Sequence, residues 1–78
     1  MLLDIVCVEP LPNYRLHLEF ENKEKRIFDV SPYLEMGVFR QLKDLNIFCR
    51  AHIDGGTVTW PGEIDIAPET LYDDSVLI

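Results

Sequence analysis

Past Arg50 this chain has no lysine or arginine. All 7 basic residues lie within residues 1–50, where eight acids balance them, whereas residues 51–78 hold six acids and no compensating cation. Binding to DNA or RNA rests on cations that neutralise phosphates, so direct nucleic-acid binding is excluded by this distribution. A basic protein is the partner that such a surface matches, and solubility is its plain alternative role.

Long apolar runs are missing as well. No stretch approaches the roughly 20 residues of a membrane helix, and the start, Met1-Leu2-Leu3-Asp4, has neither the basic region nor the apolar core of an export signal. These absences point to the cytoplasm and away from a membrane. Cysteine is scarce: Cys7 and Cys49 are the only two, whereas small secreted scaffolds usually carry about four or more at regular spacing. Each sits among apolar neighbours, so both are expected as reduced thiols serving as small buried hydrophobes.

Motifs that carry chemistry are absent too. Gly55-Gly56 has the look of a hairpin turn and lacks the following helix of a phosphate-cradling loop, and no Ser-based nucleophile turn is present. Cys49 and His52 are three apart, but a zinc site wants about four ligands, and the remaining candidates, Cys7 and His17, belong to different environments. As nucleophile and base the same pair would still need an orienting group and a pocket. Asp73-Asp74, with Asp65 and Glu69 nearby, lacks the alternating acidic loop of a calcium site. No metal, no cofactor and no catalysis are therefore expected.

What is present is enough for one domain of 78 residues, with 47% apolar and 27% charged side chains. Residues 3–9 read as a first strand stopped by Pro10 and Pro12. Tyr14, Leu16, Leu18 and Phe20 then alternate with Arg15, His17 and Glu19, the period of a strand with one wet face. Residues 21–24 turn the chain, with Asn22 tolerating the left-handed conformation, and residues 26–30 supply a third strand.

Ser31-Pro32 opens a helical turn, the serine acting as cap and the proline at its favoured first position, and Gly37 ends it. Tyr33, Leu34, Val38, Phe39 and Leu42 face the sheet. Asp44 caps a second helix over residues 45–51, with Leu45, Phe48 and Cys49 on one side. Gly55-Gly56 and Pro61-Gly62 make turns around strands 57–60 and 63–66, and Pro68-Glu69 begins a last helix that offers Leu71 and Tyr72 for docking.

The element order is β-β-β-α-α-β-β-α, without repeat or linker. Strands grouped by short turns favour an α+β domain, a largely antiparallel sheet covered on one face by short helices. Residues 73–78 are expected to fray, or to add Val76-Leu77-Ile78 as a strand to a neighbouring subunit and so form a homodimer. Trp60 and Tyr72 are the rings to weigh for binding, against core packing, and Asp65 and Glu69 are the acids beside them.

Gly55-Gly56-Thr57-Val58-Thr59-Trp60-Pro61, followed by Asp65-Ile66-Ala67-Pro68-Glu69-Thr70-Leu71-Tyr72, resembles the signature of bacterial domain-of-unknown-function family 2442. Arg26 to Leu34 and Gly37-Val38-Phe39 resemble its middle block. Lys23 departs from that pattern, standing where glycine is usual, and the Trp60-to-Asp65 connection is shorter. The resemblance implies a small protein, sometimes joined to a DNA-binding helix-turn-helix and, when alone, often encoded beside a second small protein in a toxin–antitoxin-like pair. Three roles follow in order: a protein-interaction module, the acidic member of such a pair; a sensory or dimerising domain of a transcriptional regulator whose DNA-binding part is a separate chain; and a small enzyme.

Overall fold

A computed structural model describes residues 3–78; Met1 and Leu2, which form part of the export-signal reading, lie outside the described residues. β1 (Ile5–Leu11), β2 (Arg15–Phe20) and β3 (Lys25–Asp29) make an antiparallel meander. The alternation in β2 sets its face, since Leu16, Leu18 and Phe20 are all fully buried. Tyr14 precedes the strand instead of starting it. Together with Asn13 it takes a positive φ in the turn, and its hydroxyl donates to the Lys43 carbonyl at 2.6 Å.

β1 carries a bulge that the sequence reading missed. Ile5 stands opposite Phe20, and then the register slips so that Cys7 stands opposite Glu19 and Val8 opposite Leu18. One extra residue reverses which parity faces inward. Ile5 is buried before the bulge and Val8 packs on the core after it, while Cys7 is turned outward and exposed.

In the β2–β3 turn the left-handed residue is Lys23, at φ 72°, and not Asn22. The Asn22 side chain instead accepts from the Glu24 amide at 3.0 Å, holding the turn from within. A side chain at this φ is strained and glycine is not. Lys23→Gly is therefore expected to stabilise the fold by about 0.5–1 kcal/mol, read as a raised urea midpoint; a lowered midpoint would contradict this turn geometry.

The helical layer is tighter than expected. Residues 31–33 and Gly37–Lys43 are 3₁₀ segments, and α1 is a single turn, Leu45–Phe48. Ser31 caps nothing through its side chain; its amide donates to Asp29 Oδ1 at 2.9 Å. Asp44 does cap α1, its Oδ1 accepting from the Asn46 amide at 2.9 Å. With three residues per turn the 3₁₀ spacing buries Leu42 and leaves Val38 outside, and one turn of α1 lets Phe48 inward while Leu45 and Cys49 stay exposed.

A second meander follows, β4 (His52–Asp54), β5 (Thr57–Trp60) and β6 (Ile64–Ile66), then α2 (Pro68–Asp73) and β7 (Val76–Leu77). The strands form two sheets, in the orders β1-β2-β3-β7 and β4-β5-β6, where the sequence reading had one. The class is α+β and antiparallel throughout, with β4 and β7 added to the expected order. Each meander is apolar on one side only, so the two close on a shared core, to which Leu18, Phe20 and Phe28 come from one and Val58, Trp60 and Ile64 from the other.

Gly56 joins the two sheets. Its carbonyl accepts from the Ile5 amide at 2.9 Å, its φ is 79°, and a Cβ there would sit 2.7 Å from an Asp4 carboxylate oxygen. The tail also departs from expectation. Residues 73–78 do not fray: α2 runs to Asp73, Ser75 is buried, and Val76 and Leu77 pair with Ile27 and Arg26 of the same chain.

Candidate functional site

Strand parity makes Arg26 the unusual residue of β3. It stands opposite Leu18, on the inward row that also holds Phe28, so a guanidinium at this position must find partners at the core margin. It finds them on the C-terminal elements. Nε donates to Ser75 Oγ at 2.7 Å, Nη2 to the Ser75 carbonyl at 3.2 Å and Nη1 to Glu24 Oε1 at 2.7 Å. The guanidinium carbon lies 4.3 Å from the centroid of the Tyr72 ring, a cation–π stack.

The remaining groups close the network. The Tyr72 hydroxyl donates to both Glu24 oxygens at 2.9 and 3.0 Å, Asn22 Nδ2 donates to Glu24 Oε2 at 2.7 Å, and Ser75 Oγ donates to the Tyr72 carbonyl at 2.9 Å. Each of the three Arg26 nitrogens has a partner. Among the described residues no buried side-chain nitrogen or oxygen lacks a hydrogen-bond partner. The cluster therefore fastens α2 and β7 to β3.

The hydrogen bond from Tyr72 holds the Glu24 carboxyl below its usual range, with smaller help from Arg26 and Asn22 against partial burial. The same bond, followed by partial burial, pushes the Tyr72 phenol up. A lowered carboxyl stabilises the fold above its unfolded pKa and loses this as pH falls through its folded pKa. A raised phenol stabilises the fold below its unfolded pKa and loses this as pH rises through its folded pKa. The difference in urea midpoint between wild type and Tyr72→Phe is thus expected to be flat near neutrality and to shrink in both acid and strong alkali. A difference that does not change with pH would contradict the link between this hydrogen bond and the ionisation of Glu24 and Tyr72.

The residues nominated for binding part company. Trp60 is 1% exposed, stacked near Phe48 with centroids 6.3 Å apart, and its indole N–H donates to the Phe48 carbonyl at 3.0 Å. It is a core residue with no face to offer. Tyr72 is half-buried in the clamp, its ring edge against Phe20 at 5.2 Å. Asp65 and Glu69 are both exposed, the first on the outer side of β6 and the second in the first turn of α2.

The chemistry candidates are not gathered. Cys49 follows α1 and is exposed, while His52 begins β4 with Nδ1 3.0 Å from the Arg50 carbonyl. Cys7 and His17 lie on the outer face of the other sheet, opposite Glu19 and Glu9. Among the described residues no three His, Cys, Asp or Glu side chains stand close enough together to hold a metal.

What the fold does leave on its surface is every carboxylate beyond Arg50. Asp54 ends β4, Glu63 lies in the β5–β6 turn, Asp65 is on β6, Glu69 and Asp73 are on α2, and Asp74 follows it; all six are exposed. The ion pairs among the described residues, Arg26 with Glu24 and Lys43 with Glu35, involve none of them. Asp74 accepts from the Tyr33 hydroxyl at 3.2 Å.

The family model described as "Protein of unknown function (DUF2442)" matches residues 5–76. The chain belongs to this family. The DUF2442 match spans both sheets and α2 and ends within β7, so it covers the clamp and the acidic surface together. Comparison with curated proteins and with solved structures returns no match. Among the described residues no helix is long and apolar enough to cross a membrane.

Proposed function

We propose that this DUF2442 protein is a protein-interaction module that presents its acidic surface to a basic protein. The observation that carries this is the exposure of all six carboxylates beyond Arg50, with no cation among the described residues paired to any of them. Unpaired carboxylates repel one another and slightly destabilise a compact chain. A basic partner offsets that repulsion and gains electrostatic steering on approach.

On this reading the chain has no catalysis of its own, takes no cofactor and works in the cytoplasm as the acidic member of a two-protein pair. Its support is that Cys49 and His52 stand exposed, and that Cys7 and Cys49 are free thiols on separate elements, which suits a reducing compartment. Purified from its native cells at low ionic strength, the protein should carry a basic polypeptide that salt releases. A variant with Asp54, Asp65, Asp73 and Asp74 changed to Asn and Glu63 and Glu69 to Gln should emerge without it. Wild-type protein that emerges alone, or a variant that keeps the partner, would overturn the proposal.

A further inference from the structure

β7 is the outermost strand of the four-stranded sheet, and among the described residues only one of its edges is paired. The pairing register settles which groups point where. Leu77 stands opposite Arg26 and Val76 opposite Ile27, so Ile78 falls opposite Lys25, and the Ile78 amide donates to the Lys25 carbonyl at 3.0 Å. In an antiparallel ladder alternate residues turn their backbone groups to the same side. Ile78 and Val76 therefore face β3, and the N–H and C=O of Leu77 face away from the sheet. The β2 side agrees: the Phe20 amide donates to the Glu24 carbonyl, which turns Arg26 toward β2 and Lys25 toward β7.

Apart from its shortness, two residues, this edge has none of the features that protect exposed strands. It carries no proline or lysine, and Val76, Leu77 and Ile78 are 70%, 57% and 70% exposed. Asp73 and Asp74 lie just before it, separated from Val76 by the buried Ser75; both are exposed, and the Arg26 clamp holds the strand in place. An ordered edge with one outward donor and acceptor pair, apolar side chains and two adjacent carboxylates selects an extended segment with apolar residues and a flanking lysine or arginine.

We infer that the basic partner binds by adding a strand to the free edge of β7, its backbone paired with Leu77 and its cation beside Asp73 and Asp74. This rests on the proposed function and gives it a binding mode. A second copy of the chain is disfavoured as the occupant, because it would bring together two bodies that each carry a net charge of −7.

The decisive substitution is Leu77→Pro. It removes the outward N–H and leaves the hydrogen bonds of Val76 and Ile78 to β3 intact, the place on an edge strand where proline is tolerated. As probe we specify a synthetic peptide of alternating valine and threonine flanked by lysines, with a control in which glutamates replace the lysines. Amide NMR of the wild type should show shifts centred on Leu77 and its neighbours with the lysine peptide, at least tenfold weaker binding with the glutamate peptide, and loss of those shifts in Leu77→Pro. Circular dichroism and the retained Ile78 amide signal check that the variant is folded.

Shifts that ignore Leu77→Pro, or no shifts at millimolar peptide, would overturn the strand-addition mode. Binding that survives Leu77→Pro but is lost on neutralising the six carboxylates would keep the interaction module and remove only this mode. A dimer in sedimentation that Leu77→Pro dissociates would make a second copy the occupant and overturn the commitment to a basic partner.

Discussion

Trp60→Ala is expected to leave the protein unfolded at room temperature. Truncating a buried tryptophan costs about 3–5 kcal/mol, and a single core in a chain this small supplies about the same total. The site has little means to collapse: Trp60 lies on β5 against Phe48, with its N–H tied to that residue's carbonyl, and both meanders lean on the space it fills. Trp60→Phe separates the two contributions, keeping most of the ring and losing the hydrogen bond, and should cost about 1–3 kcal/mol while remaining folded. Circular dichroism with urea titration reads both. A folded Trp60→Ala variant of near wild-type midpoint would show that the ring is not central to the core.

Arg26→Ala is expected to release the C-terminal elements before the rest of the fold. Counting only the two Ser75 bonds and the stacked Tyr72 ring, the loss is about 2–3 kcal/mol. Hydrogen exchange should place it. Amides of α2 and β7 should lose protection well before those of β2, because the clamp reinforces the short β3–β7 pairing and ties Tyr72 and Ser75 to β3. Arg26→Lys should rescue little, since an ammonium cannot hold the Ser75 hydroxyl, the Ser75 carbonyl and Glu24 in one plane. Uniform loss of protection across all strands would mean that the clamp is part of the global core and not a local fastening.

Such effects trace back to how much of the molecule its sequence discloses. Leu16, Leu18 and Phe20 announce β2 because period two is a local property, and Gly55-Gly56 announces its hairpin for the same reason. The β1 bulge is not local. It depends on where Ile5 meets Phe20, and it turned Cys7 from an expected core thiol into an exposed one. The division into two sheets also escapes, since each strand reads the same whichever neighbour it takes. β7 is too short to show any period, and its pairing is set by Arg26 reaching Ser75, which lies 49 residues away.

The clamp itself left one trace. Arg26 shares parity with Phe28, so a charge on the apolar row of β3 is a sign of a buried partner, one that the expectations above did not use. Trp60 admitted two readings, interface anchor and core ring, and packing decides for the core. The acidic third was legible as composition, but not the fact that β4, β6, α2 and the turns would expose every one of its carboxylates.

The central claim is that the negative charges of these six carboxylates do not hold the fold together and are therefore free for another molecule; the one contact among them, Asp74 accepting from the Tyr33 hydroxyl, needs only an oxygen that Asn retains. Urea denaturation of the variant with all six neutralised, run at low salt beside the wild type, tests it without knowledge of any partner. The account predicts a midpoint equal to or above that of the wild type, because removing mutual repulsion cannot weaken a fold that makes no use of those charges. A drop in stability of about 1 kcal/mol or more would contradict it, since the charges would then be holding the domain together.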